Sequence, residues 1–125
     1  MTLTSDWAVG STVTWEVENV TITDDDQVVL VSDPPRRLNY IWHTITPEFV
    51  AAFGDQVEFL EDAASERRSR VTFDIEPVGG VVKLTVTHDD FDPGSIVLAG
   101  VSEGWPPIIA SLKTLLETGE PLAVA

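Results

Sequence analysis

Apolar and polar residues alternate along much of the first two-thirds of the chain, as in half-buried β-strands. Val13, Trp15 and Val17 alternate with Thr14 and Glu16. The pattern predicts further strands at 27–32, 38–42, 71–76 and 82–86. Two glycines, at 79 and 80, stand between the last two of these strands. Because Gly-Gly readily adopts the positive φ of a two-residue turn, these strands are expected to form an antiparallel hairpin.

Residues 46–66 have helical spacing instead and are predicted to form a helical insertion. Thr46 is a suitable N-cap residue and Pro47 a suitable first-turn residue. Apolar side chains then recur every three or four positions, at Phe49, Phe53, Val57, Leu60 and Ala64. One or two short helices are expected, with a break at Gly54-Asp55.

A longer helix is predicted at residues 105–118. Its apolar stripe consists of Ile108, Ile109, Leu112, Leu115 and Leu116. Pro106 or Pro107 would occupy the first turn, Gly119 would be the C-cap, and Pro121 would prevent continuation. Residues 95–104 are expected to form a loop. The whole chain, 1–125, is therefore predicted to be one α+β domain in which an antiparallel sheet packs against a long C-terminal helix.

Composition narrows the possible functions. The 125 residues include 21 acidic and 7 basic side chains, for a net charge of −14. Such a protein is repelled by nucleic acids and by anionic membranes. The chain has no cysteine and no apolar run of about 18 residues, and its first residues are not expected to form a secretory signal. With 43% hydrophobic residues it is expected to fold, and a cytoplasmic location is predicted.

Several motifs, taken together and in order, resemble one protein family. They are Ser5–Ser11, Ser32–Leu38, Ser69–Pro77, Leu84–His88, and Gly104–Pro106 followed by Ser111–Glu117. The family is that of the activator of heat-shock protein 90 ATPase homologues, within the START-like (SRPBCC, Bet v 1-like) superfamily. The resemblance implies a helix-grip fold, in which a strongly curved antiparallel sheet holds a long C-terminal helix with an apolar cavity between them.

The beginning of the chain departs from this family. The strand and two short helices that usually precede the Ser-Asp-Trp segment have no counterpart here. Either Met1 is an internal methionine of a longer protein, or the chain is a truncated form. In the second case the sheet would keep an unpaired edge, and a homodimer is one way to cover it.

Under this resemblance, the aromatic and apolar residues become candidates for a ligand cavity. They are Trp15, Tyr40, Trp42, Phe73, Leu84, Trp105, Ile108, Ile109 and Leu112. The same residues could instead fill a solid core, and the sequence leaves both interpretations open.

The two histidines, His43 and His88, are candidate polar or acid–base groups of that cavity. The alternative places His88 at a strand end beside a solvated acidic turn. Two histidines without cysteine are poor zinc ligands, so no metal, cofactor or catalytic residue is predicted. Asp24–Asp26 lacks calcium-loop spacing and is interpreted as a turn. Arg36 and Arg37 could bind an anion, but surface ion pairs are favoured.

The leading functional hypothesis is a non-enzymatic domain that binds a small apolar molecule resembling a lipid, polyketide or aromatic metabolite. One alternative is a cyclase or dehydratase that uses cavity acid–base residues. Another is a co-chaperone that stimulates the heat-shock protein 90 ATPase, a partner that only the family name suggests.

Overall fold

A computed structural model describes residues 1–52 and 57–122, and within them ten helices and strands. Three strands form a first antiparallel sheet in the order β1-β2-β3: Thr2–Thr4, Thr14–Val17 and Val20–Ile22. Four form a second antiparallel sheet in the order β4-β5-β6-β7: Val29–Asp33, Arg37–Ile41, Arg70–Val78 and Val81–Asp89. The helices are α1, Pro47–Ala52; α2, Val57–Ala64; and α3, Ile96–Thr118. The predicted fold class, antiparallel sheet with a long C-terminal helix, is confirmed.

The described chain divides into two compact units, the first being Met1–Asp92 and the second beginning at Pro93. The first unit contains both sheets, α1 and α2, and the second contains α3. The predictions of a single domain and of a helix packed on the sheet remain predictions.

Backbone hydrogen bonds between the segment before β2 and the start of β4 join the two sheets. Gly10 donates to the carbonyl of Val29 over 2.8 Å, and Val13 donates to that of Gln27 over 2.7 Å. The core of the first unit lies where the sheets meet. Its fully buried side chains are Val13, Trp15, Ile22, Gln27, Val29 and Val71.

Strand pairing in the second sheet separates an apolar face from a polar one. Tyr40 lies opposite Val71, and Leu38 opposite Phe73. The intervening positions pair polar side chains, as with Arg37 and Asp74. The two-residue turn at Gly79 and Gly80 joins β6 to β7 as predicted, and Gly79 has a φ of 59°. Successive residues of a strand point to opposite faces, so the register alone creates the apolar face on which the candidate site forms.

Two short helices lie within the predicted insertion. Thr46 caps α1, since its hydroxyl oxygen accepts a hydrogen bond of 3.2 Å from the backbone N–H of Phe49. The predicted break at Gly54-Asp55, the side chain of Phe53 and that of Val57 lie outside the described residues.

The C-terminal helix begins at Ile96, nine residues before the predicted start, so that much of the predicted loop is helical. Ser95 is the N-cap, with its hydroxyl oxygen accepting from Leu98 N–H over 3.0 Å. Pro106 and Pro107 therefore lie inside the helix rather than in its first turn. Gly119 ends the helix in the left-handed conformation, as predicted.

Candidate functional site

A cluster of aromatic rings is centred on Trp15 in β2. Trp15 has no exposed surface. Its ring centroid lies 4.6 Å from that of Trp42, 4.8 Å from that of His43 and 6.2 Å from that of Tyr40. Trp42 and Tyr40 meet it edge-on, an arrangement that places the positive edge of one ring against the negative face of another. We call this group and its ring neighbours the ring cluster.

The ring cluster extends along the apolar face of the second sheet. Tyr40 stacks on Phe73 with centroids 6.0 Å apart, and Trp7 meets Tyr40 edge-on at 5.8 Å. Leu84 lies opposite Ile75 in the β6–β7 pair and therefore shares the face of Phe73. Alternation along β5 and β6, which the sequence pattern predicts, brings these side chains together.

Both histidines belong to the ring cluster, and both lie close to Trp42. The Trp42 ring centroid lies 5.7 Å from that of His43 and 4.5 Å from that of His88. Phe49 lies 5.2 Å from His43, and Phe91 lies 4.7 Å from His88. His88 lies at the end of β7 beside the exposed Asp89 and Asp90, as one interpretation places it, while its ring packs between aromatic neighbours, as the other requires; its role remains a prediction.

His43 is held as a neutral imidazole. Its Nδ1 lies 2.7 Å from the carbonyl oxygen of Thr44, and since a carbonyl only accepts, Nδ1 is the donor. Burial lowers the pKa of His43 below 6.5; the bond to Thr44 opposes this shift and the nearby charge of Arg68 adds to it. The Nε2 atom of the neutral ring then carries the lone pair.

His88 is neutral at physiological pH for a similar reason. Its Nε2 lies 2.8 Å from the hydroxyl of Ser69, a side chain that is itself buried. Burial lowers the pKa of His88 from 6.5 to about 4, although Asp89 opposes the shift, and His43 contributes further to it. A base this weak removes few protons from a serine hydroxyl, so the pair is poorly suited to nucleophilic catalysis.

Gln27, which sequence reasoning missed, connects the surroundings of the ring cluster. Its Nε2 donates to the carbonyls of Val13 at 2.8 Å and Ile22 at 3.2 Å. Its Oε1 accepts from the backbone N–H of Thr44 at 2.8 Å and from Arg68 at 3.4 Å. A buried polar side chain is tolerated when all of its groups find partners, and Gln27 meets that condition.

Arg68 continues this network above the ring cluster. Its Nε and Nη2 donate to the carbonyl of Trp42 at 3.2 and 2.9 Å, and Nη1 lies 3.4 Å from a carboxylate oxygen of Asp24. The same oxygen of Asp24 accepts from the backbone N–H of Asp26 at 2.8 Å, which closes a local turn. The interpretation of Asp24–Asp26 as a turn is confirmed.

One buried donor of the ring cluster has no partner. The indole nitrogen Nε1 of Trp15 is inaccessible to solvent and makes no hydrogen bond to any described residue. An unpaired buried donor costs about 1–3 kcal/mol, so such a group is expected to meet an acceptor in the working protein. Burial also raises the pKa of the Tyr40 hydroxyl well above 10, which leaves that group protonated as well.

The first unit thus brings together six of the predicted site residues: Trp15, Tyr40, Trp42, His43, Phe73 and His88. Leu84 lies on the same sheet face. The other four, Trp105, Ile108, Ile109 and Leu112, share one face of α3 by their spacing, and their role as a cavity wall remains a prediction.

A separate, solvent-open groove of about 1120 Å³ lies at the turn between β4 and β5. The charged residues that line it are Asp33, Arg36, Arg37, Asp74 and Glu76. Arg37 Nε forms an ion pair of 2.6 Å with Asp74, which confirms the ion-pair interpretation for that residue, whereas Arg36 has no such pair among the described residues. Three acids against two arginines give the groove no excess positive charge for an anion.

The described residues contain no group of three or more histidine, aspartate and glutamate side chains that could hold a metal ion. None of the described helices is both long and apolar enough to cross a bilayer.

Comparison with known proteins agrees with the sequence motifs. The model of a family described as activator of Hsp90 ATPase homolog 1-like proteins matches residues 2–117, nearly the whole chain. No curated protein and no solved structure matches. The resemblance drawn from the motifs is confirmed.

Proposed function

The chain belongs to the family of activator of Hsp90 ATPase homolog 1-like proteins, which are START-like domains, and from this premise we propose that it binds a small apolar ligand at the ring cluster. The ligand would resemble a lipid, a polyketide or an aromatic metabolite. Ring faces offer a large contact area at low conformational cost, and ligand sites are mostly apolar with a few well-placed polar groups.

The single observation that carries the proposal is the unpartnered indole N–H of Trp15. Edge-on rings alone are compatible with an ordinary core, because the edge of each ring contacts the face of a neighbouring ring. The buried donor is different, because its acceptor is missing from the described protein. An apolar ligand with one carbonyl or hydroxyl oxygen would supply that acceptor and be oriented by it.

Entry of such a ligand requires a ring to move, because Trp15 has no exposed surface. Trp7 lies at the margin of the ring cluster, half-buried and edge-on to Tyr40. Its φ of 58° is unusual for a bulky residue. A strained residue is readily displaced, since movement relieves the strain. Trp7 is therefore the ring we expect to yield.

Two matched probes test the proposal. They are 2-acetylnaphthalene, which has a carbonyl acceptor, and 2-isopropenylnaphthalene, in which a methylene group replaces the oxygen. Binding is followed by ¹H–¹⁵N spectra of the four tryptophan indoles. The ketone should move the Trp15 indole signal downfield, as a new hydrogen bond does. Failure of both probes to bind would contradict the proposal.

Trp15→Phe removes the donor while keeping a ring. We expect it to weaken ketone binding about five- to tenfold, since a hydrogen bond contributes about 1 kcal/mol, and to leave hydrocarbon binding unchanged. Trp7→Phe is the control because it preserves the Trp15 donor. A water molecule that stays bound to the Trp15 indole in the presence of the ketone would show that the ketone does not accept a hydrogen bond from this donor. That result would contradict the proposal.

The two histidines favour an enzyme as the second candidate function. Neutral His43 and His88 flank Trp42 and could exchange protons with a bound polyketide-like substrate, as in a cyclase or dehydratase. His43 is the better base of the pair, because its Nε2 lone pair remains available in the tautomer that Thr44 selects. Turnover of a polyketide-like substrate that His43→Gln abolishes and His88→Gln only weakens would support this candidate.

Stimulation of the heat-shock protein 90 ATPase is proposed for this chain only by its family name. Purified protein added to that ATPase gives a direct answer. We expect no stimulation, because a fold shared within a family does not carry an activity with it.

A further inference from the structure

The last strand of the second sheet has one edge that pairs with no other strand among the described residues. β7 runs for nine residues, Val81–Asp89, and pairs with β6 along its whole length. The sheet order β4-β5-β6-β7 leaves its other side at the border. Natural proteins shield such edges with proline, bulges, very short strands or charged side chains, and the one basic residue of β7 is Lys83. β7 has no proline, and its pairing with β6 is continuous.

The hydrogen-bonding pattern shows which backbone groups of β7 point outward. The N–H of Ile75 donates to Arg36, so alternate residues of β6 from Val71 to Ile75 bond to β5. The intervening residues of β6 bond to β7, through its odd-numbered positions. The backbone groups of Val82, Leu84 and Val86 therefore point away from β6, and no bond joins them to any described residue.

We propose that this edge pairs antiparallel with β7 of a second copy of the chain, in a register centred on Val86, so that the two second sheets become one. A two-fold axis at Val86 lets the outward N–H and C=O of that residue bond to the same residue of the second copy. The pairing rests on the edge of the sheet and is independent of any ligand.

Charge decides the register. Centring on Val86 places Lys83 opposite Asp89 of the second copy, and Thr85 opposite Thr87. Within one chain, Lys83 Nζ already lies 3.7 Å from Glu76, and Arg70 Nε lies 3.6 Å from Asp89. Four charged side chains of alternating sign would then lie next to one another across the dimer. They are Glu76 and Lys83 of one copy, followed by Asp89 and Arg70 of the second copy. Cross-strand pairs of opposite charge are favourable, whereas centring on Thr85 or Leu84 places Lys83 opposite a threonine, and centring on Thr87 places it opposite Phe91.

Self-association must overcome the net charge of −14 on each copy. At physiological ionic strength the Debye length is about 8 Å, so most of this long-range repulsion is screened. The charges at the edge are locally balanced, with Lys83 and Arg70 beside Glu76 and Asp89. The edge is therefore a less repulsive contact than the acidic surface as a whole.

Sedimentation at physiological salt over a wide concentration range tests the association. The chain mass of 13.6 kDa should approach twice that value as concentration rises. Lys83→Asp should weaken dimerisation about tenfold or more, because both Lys83–Asp89 pairs become repulsive. Lys113→Asp changes the net charge equally on α3 and should leave dimerisation intact. A monomer at every concentration, or equal weakening by both variants, would overturn the proposal.

Cysteine cross-linking tests the register, and the natural chain has no cysteine to interfere. Chains carrying Thr85→Cys, mixed with chains carrying Thr87→Cys, should form a disulfide-linked dimer on oxidation, because these positions face each other across the axis. Either variant alone should cross-link far less. Strong cross-linking of Thr85→Cys alone would mean a register centred on Thr85 and would overturn the charge argument. Both variants keep the strand intact, which unfolding curves verify.

Discussion

The side-chain oxygen of Gln27 accepts a hydrogen bond of 2.8 Å from the backbone N–H of Thr44, 17 residues further along the chain. The nitrogen of the same side chain donates to Val13 and Ile22, which belong to the region of the first sheet. Thr44 follows β5 of the second sheet. One fully buried amide thus holds both sheets in register around the ring cluster.

Replacing Gln27 with methionine, which has a similar length, should destabilise the protein by about 3 kcal/mol or more. Several buried groups would lose their partner at once, and each such loss costs about 1–3 kcal/mol. Urea unfolding measures the change. Asn39→Ala is the control: it removes one bond, to Thr72, together with a carbonyl oxygen that has no partner among the described residues, so its cost should be about 1 kcal/mol or less. Similar losses for both variants would contradict this account.

Arg68 and Arg37 should differ strongly in their contribution to stability. Arg37 pairs with Asp74 at the surface, where the two side chains are 56% and 36% exposed, and Arg37→Met should cost less than about 1 kcal/mol. Arg68 is half-buried and donates twice to the Trp42 carbonyl, so Arg68→Met should cost about 1–3 kcal/mol.

The same Arg68→Met variant should raise the pKa of His43. Burial is the main cause of its lowered pKa, and the positive charge of Arg68 adds to the effect. NMR titration of the imidazole signals measures the change. Arg37→Met is the control, and an unchanged pKa in the Arg68 variant would show that this charge is screened from His43.

Stability should decrease as the pH falls below about 6.5. In the unfolded chain His43 and His88 bind protons near that pH. In the folded chain the pKa of His43 is lowered and that of His88 is lowered to about 4, so both histidines stay neutral at lower pH. The unfolded state therefore binds more protons throughout this window, and unfolding becomes easier as the pH decreases. Urea midpoints at pH 7.5 and pH 5 measure the effect.

The control for the pH effect is the double variant His43→Gln, His88→Gln. It should show a smaller loss between these two pH values than the natural chain. An equal loss would assign the pH dependence to groups other than the histidines.

Pro107→Ala should strengthen α3. Proline inside a helix lacks the N–H that would bond to the carbonyl four residues earlier, and costs about 3 kcal/mol relative to alanine. The alanine N–H can bond to the carbonyl of Glu103, so hydrogen exchange should slow around residues 103–111. Pro121→Ala lies beyond the C-cap Gly119 and should have no such effect.

Local pattern was sufficient for five of the seven strands and for the residues that share a face with Tyr40, but it predicted neither β1 nor β3, which are only three residues long. It failed for the start of α3 because residues 96–101 are almost uniformly apolar and show no helical period. Pro106 and Pro107 were then interpreted as residues of the first turn of the helix. Ser95 was the available signal, since serine before an apolar run is a common N-cap.

Gln27 and His88 could not be placed from the sequence for a different reason. Gln27 begins the predicted strand 27–32 directly after three aspartates, and a polar residue at that position is expected to be exposed. Its burial depends on partners 5, 14, 17 and 41 residues away. His88 stands next to Asp89 and Asp90 in sequence, yet Trp42 and Phe91 lie against its ring. Polar residues near acidic neighbours look exposed until distant strands are paired.

The hairpin of β6 and β7 has a consequence for the order in which the molecule folds. Its nine register pairs are closed by a two-residue turn, so little chain entropy is lost before the first pairs form, and isolated hairpins form in about 1–10 μs. The hydrogen bonds of Gln27 instead form only after segments that are distant in the chain have come together. We expect Val86→Ala to slow folding and Ile22→Val mainly to speed unfolding, as stopped-flow φ-values would show. Because the edge of β7 is free from the moment the hairpin forms, other chains can pair with it while the core around Gln27 is still unfolded, so the newly made protein would be most prone to misassociate during synthesis and refolding.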